Sequence, residues 1–217
     1  MPKTLILDLD GTLVDTVPDL AAALNRLMAA RALAAFSHAA TALMVGDGAR
    51  ALVDRAFAAR GLAADEAAQA SFLADYTAHA AVESRPFPGA VDCLHTMRAA
   101  GWRLTICTNK PEAPARALLA ALDLERFFPV IGAGDSFAVK KPDPRHLRAT
   151  LEAAGGSAGR ALMLGDHSND VIAATGAGVA CIFAGWGYGP LEMAQGAVAV
   201  ARNFAEIPLL AERLLPS

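Results

Sequence analysis

The stretch LILDLDGTLVD at residues 5–15 decides the fold of this chain. Residues 4–9 form a short apolar run that is broken only by Asp8 and closed by Gly11, which predicts a buried strand rather than a helix. Side chains two residues apart in an extended chain point to the same side, so Asp8 and Asp10 converge at the carboxyl end of the strand. Two carboxylates this close require a cation, a shared proton or open water. The stretch alone indicates either a cation site or an ordinary turn beside a strand-end charge.

The composition is that of a globular chain with room for a sizeable core. The 217 residues, of which 54% are hydrophobic and 19% charged, suffice for one large domain or for a core with a smaller insert. The formal net charge is −3 and lysines and arginines form no run, so nucleic acid is not an expected partner. Three cysteines without a C-x-x-C pair predict reduced thiols and a cytoplasmic location, and the first residues lack the pattern of a signal peptide.

An uncharged segment at residues 171–191 has the length of a membrane span. It carries several glycines and one proline, however, and these residues interrupt a spanning helix. We therefore predict a helix end, a buried strand at residues 179–183 and a glycine-rich loop at residues 185–189, and we expect no membrane contact. The loop either borders a substrate entrance or is a flexible surface turn.

Hydrophobic periodicity divides the chain into an all-helical stretch and an alternating part. The helical stretch lies between Asp15 and Glu83, with helices predicted at residues 18–33, 37–45, 49–60 and 65–82. After it, strands are predicted at residues 102–107, 128–133, 161–164, 179–183 and 197–200. The helices that alternate with these strands are predicted at residues 89–100, 112–122, 144–154, 169–175 and 207–215. This alternation predicts an α/β fold with a doubly wound parallel sheet, into which the helical stretch is inserted after the first strand.

Polar residues follow several predicted strands, at the edge where doubly wound sheets bind their ligands. They are Asp8 and Asp10 after the first strand, Thr108 and Asn109 after the second, Lys141 in a later loop, and Asp166 with Asp170 after the strand at residues 161–164. Each one alone has an ordinary explanation as a helix cap, a loop charge or a turn residue. Together they predict one site that contains carboxylates, a hydroxyl and an ammonium.

The order of these residues resembles the four motifs of the haloacid dehalogenase superfamily. The motifs are DLDGT at residues 8–12, Thr108, Lys141 with Pro142, and Gly165-Asp166 with Asp170. Two further stretches, VGDGAR at residues 45–50 and KKPDP at residues 140–144, are similar to phosphoglycolate phosphatases. The resemblance covers nearly the whole chain. It implies a Rossmann-like catalytic core made of residues 1–15 and 84–217, with residues 16–83 as an inserted all-helical cap domain.

The resemblance also implies a phosphoryl-transfer site that depends on Mg²⁺. Asp8 would attack phosphorus and form an aspartyl-phosphate, while Asp10 would protonate the leaving oxygen and then accept a proton from water. Asp8, the backbone carbonyl of Asp10 and Asp166 would hold the metal, because hard oxygen ligands suit this ion. Asp170 would lie outside the metal ligands and anchor either a metal-bound water or Lys141.

Phosphate and substrate contacts are implied around the same strand ends. Thr108 would bind phosphoryl oxygens, and Lys141 would neutralise charge on Asp8 and on the phosphate. The remaining expected contacts are Leu9, Gly11, Thr12 and Asn109. In the helical stretch, Gly48 would let the chain approach the site closely, and Arg50 would meet a substrate carboxylate unless it is a surface arginine.

The predicted activity is hydrolysis of a small phosphorylated metabolite, 2-phosphoglycolate before others, by a monomer or homodimer. A phosphatase for a sugar phosphate or pyrophosphate remains open, as does a sugar phosphomutase, which also keeps an acid at position 10. Dehalogenases and phosphonate hydrolases of this superfamily lack that acid, so Asp10 disfavours both. A non-catalytic binding protein is disfavoured because Asp8, Asp10 and Lys141 are all present.

Overall fold

The computed structural model describes residues 2–216. The strands are β1 Thr4–Leu7, β2 Val14–Asp15, β3 Arg85–Pro86, β4 Arg103–Cys107, β5 Ile131–Gly132, β6 Ala161–Gly165, β7 Ala180–Ala184 and β8 Ala199–Ala201. The helices are α1 Val17–Ala30, α2 His38–Ala42, α3 Ala49–Ala58, α4 Glu66–Ala78, α5 Ala90–Ala99, α6 Glu112–Ala121, α7 Pro144–Ala153, α8 Ser168–Ala177 and α9 Ile207–Leu214. Short 3₁₀ turns at residues 125–127, 158–160, 191–194 and 204–206 complete the described elements.

Six strands form one parallel sheet in the order β5-β4-β1-β6-β7-β8. The predicted α/β fold with a doubly wound parallel sheet is therefore confirmed. β1 lies between β4 and β6, and Ile6 is level with Thr105 on one side and with Met163 on the other. All four residues of β1 are buried, as expected for a central strand that is covered on both faces.

Alternate side chains of β1 enter two separate apolar clusters. Leu5 and Leu7 pack into the larger cluster, whereas Ile6 packs with Met163 and Phe183 on the opposite face of the sheet. Full burial of a side chain of this size stabilises the fold by about 1.5–3 kcal/mol. The two faces together fix the register of β1, because a shift by one residue would exchange its two sets of side chains.

The carboxyl ends of β1, β4 and β6 meet at one edge of the sheet, because these neighbouring strands run parallel. Asp8 follows β1 directly, Thr108 follows β4 and Asp166 follows β6. Strand order reverses at β1, which has later strands on both sides. A crevice for ligands forms at such a switch point.

Four helices, α1–α4, occupy the chain between β2 and β3, and we call residues 17–78 the helical segment. β2 and β3 pair antiparallel where the chain leaves the sheet and returns to it, with Val14 opposite Pro86. This ribbon was not predicted, because two residues with a proline between turn signals resemble a loop. The carboxylate of Asp19 accepts hydrogen bonds from the backbone N–H groups of Glu83 and Ser84. The division into core and cap domains stays a prediction.

Some boundaries differ from the predicted ones for local reasons. β1 ends at Leu7 rather than at Leu9, because the N–H of Leu9 turns to the carboxylate of Asp8 at 2.7 Å. β5 is limited to Ile131–Gly132, and Phe128, the first residue of the predicted strand, instead caps the preceding 3₁₀ turn at residues 125–127. Within residues 2–216, none of the helices has the length and apolar character of a membrane span.

Candidate active site

A buried lysine lies between two carboxylates at the centre of the strand-end cluster. The Nζ atom of Lys141 is 2.9 Å from Oδ1 of Asp8 and 2.6 Å from Oδ1 of Asp170. Burial alone would lower the pKa of Lys141, but the charges of Asp170 and Asp8 raise it above its ordinary value. Lys141 is therefore a permanent cation, and the predicted pairing with Asp8 is present.

Three carboxylates form a compact oxygen cluster. Asp8, Asp166 and Asp170 each offer a carboxylate oxygen within 4.8 Å of the other two. Burial raises the pKa of Asp166 to about 6, and the charge of Asp8 acts in the same direction. A bound cation would reduce the repulsion between these carboxylates. A site in which all the protein ligands are oxygen atoms suits Mg²⁺. The residues present therefore fit the predicted metal.

Both carboxylate oxygens of Asp170 accept hydrogen bonds. Its Oδ1 accepts from Lys141, and its Oδ2 accepts from the backbone N–H of His167 at 3.1 Å. The second contact is a helix cap, since the ring of His167 accepts in turn from the N–H of Asn169 at the start of α8. Asp170 thus contacts Lys141, one of its two expected partners, and its place beside the metal ligands stays a prediction.

Thr12 supports Asp166 through its side chain. Its hydroxyl donates to Oδ1 of Asp166 at 2.8 Å, and the expected phosphate contact of Thr12 stays a prediction. The backbone N–H of Tyr188 donates to Oδ2 of the same carboxylate at 2.7 Å. Sequence reasoning missed Tyr188, whose only signal was its place in the glycine-rich loop.

The glycine-rich loop at residues 185–189 packs directly on Asp166. A Cβ atom added at Gly187 would lie 2.2 Å from Cβ of Asp166, and one added at Gly189 would lie 2.0 Å from its carbonyl oxygen. Tyr188 and Gly189 also line the opening beside the carboxylate cluster. Of the two predicted possibilities, the structure therefore favours a loop that borders the site.

The side chain of Asp10 is held by partners that lie outside the carboxylate cluster. Its Oδ1 accepts from the hydroxyl of Thr16 at 2.7 Å and from Nζ of Lys110 at 2.8 Å. Asp10 remains at the mouth of the site together with Asp8 and Thr108, which line the same pocket. The expected metal contact from Asp10 concerns only its backbone carbonyl, so this orientation leaves that prediction in place.

Two of the backbone N–H groups near the expected phosphate, those of Leu9 and Gly11, have other partners, and the side chain of Asn109 is also engaged. The N–H of Leu9 donates to Asp8, and the N–H of Gly11 donates to the carbonyl of Val14 at 3.0 Å. The side-chain amide of Asn109 donates to the carbonyls of Gly46 and Lys141 at 3.0 and 2.9 Å. In this arrangement the tight turn after β1 uses both of these donors, and the phosphate contacts of Leu9 and Gly11 stay predictions.

A small pocket lies between the strand ends and the helical segment, with a cavity volume of about 30 Å³. Its polar residues are Asp8, Asp10, Tyr76, Thr108, Asn109 and Lys110. Its apolar residues are Leu20, Val45, Ala49, Leu52, Phe72, Pro111 and Pro114, and Gly46 and Gly48 complete the lining. A Cβ added at Gly48 would lie 2.7 Å from the carbonyl of Asn109, so the predicted close approach of Gly48 is present.

Arg50 does not reach this pocket. Its Nε donates to the side-chain oxygen of Gln69 at 2.6 Å, and 66% of its side chain is exposed. Ala49 and Leu52 occupy the face of α3 that lines the pocket, so Arg50 points outward. Arg50 therefore occupies the surface position that was its alternative, and its contact with a substrate carboxylate stays a prediction that this arrangement does not favour.

Lys110 is the pocket residue that sequence reasoning passed over. Its Nζ contacts Oδ1 of Asp10 at 2.8 Å and the hydroxyl of Tyr76 at 2.6 Å. It also lies 4.2 Å from the centre of the Tyr76 ring. The available signal was its place two residues beyond Thr108 after β4, whereas Tyr76 carried none, because α4 is distant in sequence.

Known proteins match this chain along nearly its full length. A family model described as haloacid dehalogenase-like hydrolase matches residues 2–178. Phosphoglycolate phosphatase of Rhodospirillum rubrum is 46% identical over 95% of this chain and 90% of its own length. Phosphoglycolate phosphatase of Caulobacter vibrioides is 43% identical over 99% of this chain and 92% of its own.

Solved structures agree with the fold and the family. A predicted phosphoglycolate phosphatase from Haemophilus somnus has a TM-score of 0.87 at 29% identity, over 96% of this chain and 97% of that one. CbbY from Rhodobacter sphaeroides, solved in complex with xylulose-(1,5)bisphosphate, has a TM-score of 0.79 at 28% identity, over 95% and 96%. This chain belongs to the haloacid dehalogenase-like hydrolases and is a phosphoric monoester hydrolase of the phosphoglycolate phosphatase type.

Proposed function

We propose that the protein hydrolyses 2-phosphoglycolate to glycolate and phosphate, with Mg²⁺ and through an aspartyl-phosphate on Asp8. The observation that carries the chemistry is the buried contact of Asp8 with Lys141, beside a second carboxylate, Asp10, two residues along the chain. The substrate is supported by the phosphoglycolate phosphatases that are 42–46% identical over nearly the whole chain.

Asp8 is oriented as a nucleophile. Both of its contacts, from the N–H of Leu9 and from Lys141, are on Oδ1. We assign the attack to Oδ2, which forms a bond to phosphorus while the bond from phosphorus to the ester oxygen breaks. Lys141 holds charge opposite Asp8 and the incoming phosphate, and Thr108 offers its hydroxyl in the same pocket.

Asp10 serves as the acid and then as the base. In the first step it gives a proton to the leaving oxygen, and glycolate departs. Asp10 is then ionised and accepts a proton from the water that attacks the aspartyl-phosphate, which restores Asp8 and releases phosphate. Thr16 and Lys110 both hold Oδ1 of Asp10, so we assign the proton of the first step, and the one later accepted from water, to Oδ2.

Asp8, the backbone carbonyl of Asp10 and Asp166 are the proposed ligands of Mg²⁺, with Asp170 beside them. When bound, the ion would neutralise phosphate charge and so lower the repulsion that an anionic nucleophile meets. Residues 16–83 are proposed to act as a cap that excludes water from the pocket.

The test is phosphate release from a panel of esters, with Mg²⁺ and then with EDTA. The panel contains 2-phosphoglycolate, sugar phosphates, pyrophosphate and nucleoside monophosphates. We expect metal-dependent release that is greatest with 2-phosphoglycolate and absent in Asp8→Asn. Full activity of Asp8→Asn would contradict the mechanism, and a preference for another ester would contradict the substrate alone.

A sugar bisphosphate is the second candidate, because CbbY was solved with such a ligand. The helical segment contributes mainly apolar side chains to the pocket. Several substrate hydroxyl groups buried there would lose their hydrogen bonds to water, so the pocket favours the smaller ester.

A further inference from the structure

We propose that Lys110 binds the carboxylate of the substrate, so that the enzyme selects small phosphate esters whose leaving alcohol carries an anionic group. This inference rests on the proposed function, since it names the residue that would recognise the acid end of 2-phosphoglycolate. It replaces Arg50, which lies on the exposed face of α3.

The first argument is the charge of the pocket. Among its lining residues, all of which lie in the described part of the chain, Lys110 is the one that carries a positive charge. Only 4% of its side chain is exposed. A carboxylate that leaves water for such a pocket needs a cation as partner, because a buried unpaired charge is strongly disfavoured.

The second argument is the donor count of the ammonium. A lysine ammonium has three N–H donors. Two of them are directed to Asp10 and to the hydroxyl of Tyr76. The third is available to a ligand in the pocket, so an anionic group can bind without displacing either contact.

The third argument is the placement of Lys110 beside the acid. Lys110 contacts the carboxylate of Asp10, which we assign to the leaving oxygen. In 2-phosphoglycolate a single carbon separates that oxygen from the carboxylate. A ligand with its ester oxygen at Asp10 therefore brings its carboxylate next to Lys110, whereas a longer alcohol would carry its polar groups among Leu52 and Phe72.

Tyr76 positions Lys110 from the helical segment. It lies on α4, is 1% exposed and stacks on Phe72 with ring centres 5.9 Å apart. Its hydroxyl and ring face both meet the ammonium. The loop that follows β4 therefore supplies Lys110, and the helical segment holds it in place. The proposed anion site is complete only when the helical segment packs against that loop.

The experiment compares two esters that differ only in the carboxylate, 2-phosphoglycolate and ethyl phosphate. In the unaltered enzyme we expect a higher kcat/KM for 2-phosphoglycolate. In Lys110→Met we expect the ratio of the two kcat/KM values to fall about 30-fold or more, as is typical when one partner of a buried ion pair is removed. A loss of activity that comes from a disturbed Asp10 lowers kcat/KM for both esters alike, so it does not change the ratio.

Three further variants sharpen the result. Lys110→Arg keeps the charge and should keep most of the ratio. Tyr76→Phe should raise KM for 2-phosphoglycolate by about fivefold, the usual effect of one hydrogen bond, and should raise the KM for ethyl phosphate less. Arg50→Met should leave the ratio as it is.

Equal losses on both esters in Lys110→Met, or a fall of the ratio in Arg50→Met, would overturn the assignment. If Lys110→Met does not fold, the unaltered enzyme still decides, because equal kcat/KM values for the two esters would exclude a carboxylate site. Failure of the proposed function is seen separately in the ester panel. In that event the same comparison uses the preferred anionic ester and its uncharged analogue.

Discussion

At the scale of single residues, Lys141 shows how one buried ammonium compensates the charges of two neighbouring carboxylates. Its ammonium is enclosed by Asp8 and Asp170 with almost no access to water. Removal of one member of such a group leaves a buried charge without its partner, which costs about 3–5 kcal/mol. Stability and chemistry therefore depend on the same three side chains.

We expect Lys141→Met to lower kcat at least about 100-fold, because the charge opposite the phosphate is lost. The same variant should unfold at lower temperature. The measurements are steady-state kinetics with Mg²⁺ and a thermal melt. Lys140→Met is the matched control, since Lys140 is the neighbouring lysine but lies exposed with its Nζ 2.6 Å from the carbonyl of Asp47. Comparable losses in both variants would contradict a specific role for Lys141.

The second prediction concerns Thr12. It distinguishes a role in holding Asp166 from a role in binding phosphate. Because its hydroxyl donates to Asp166, Thr12→Val should raise the Mg²⁺ concentration needed for half-maximal activity by about 10-fold, with KM for the ester little changed. A titration with Mg²⁺ at saturating ester checks this. A rise in KM without a change in the Mg²⁺ dependence would restore the phosphate-binding role.

At the scale of elements, the loop at residues 185–189 fixes Asp166 by close packing. Gly187 and Gly189 are required by space rather than by flexibility, since the backbone at these two positions packs against Asp166. Tyr188 and Trp186 anchor the loop, the latter by donating from its indole Nε1 to the carbonyl of Thr12 at 3.0 Å.

Gly187→Ala should therefore displace Asp166 or the loop. We expect a loss of about 1–3 kcal/mol in the free energy of unfolding, as for other overpacked sites. We also expect a higher Mg²⁺ concentration for half-maximal activity. Chemical denaturation and the Mg²⁺ titration measure the two effects. Gly159→Ala is the control, because an added Cβ there meets no atom within 4 Å. A Gly187→Ala protein that matches this control in both measurements would contradict the prediction, because the loop would then accommodate the added methyl group without displacing Asp166.

At the scale of the whole molecule, buried His146 joins the sheet to the loop that carries Lys141. Its Nδ1 accepts from the N–H of Lys141 at 3.2 Å, and its Nε2 donates to the carbonyl of Ala133 at 3.0 Å. Burial lowers the pKa of His146 from 6.5 to about 4, and the charge of Lys141 acts in the same direction. Folding therefore favours the neutral form of this ring.

This preference sets a pH dependence. Above pH 6.5 the ring is neutral in both the folded and the unfolded chain, and its stabilisation is fully present. Between pH 6.5 and about 4 the unfolded chain takes up the proton first, so stability falls by up to about 1.4 kcal/mol per pH unit from this group. Denaturation in EDTA should show that His146→Gln lacks this part of the slope and that His95→Gln, at an exposed position, retains it. Equal slopes in all three proteins would contradict the assignment.

The strand-end residues could be predicted from the sequence because their signals are local. A short apolar run followed by Asp8, Thr108 or Asp166 marks both a buried strand and a polar group at its end. The pocket could not be predicted in this way. Whether Arg50 or Leu52 faces inward depends on how α3 packs, and the contact of Lys110 with Tyr76 joins residues 34 positions apart. Thr12 shows the same limit, since its partner Asp166 is 154 positions away.

Tyr188 connects two distant parts of the mechanism through one side chain. Its N–H donates to Asp166, while its hydroxyl donates to Asp15 and accepts from the N–H groups of Thr16 and Val17, where α1 begins. An ion held by Asp166, as proposed, would therefore act through Tyr188 on the point where the chain enters the helical segment. By thermodynamic reciprocity, an ester that favours one orientation of that segment must change the affinity for the ion by the same factor by which the ion changes the affinity for the ester. The two binding constants are then two measurements of a single coupling free energy.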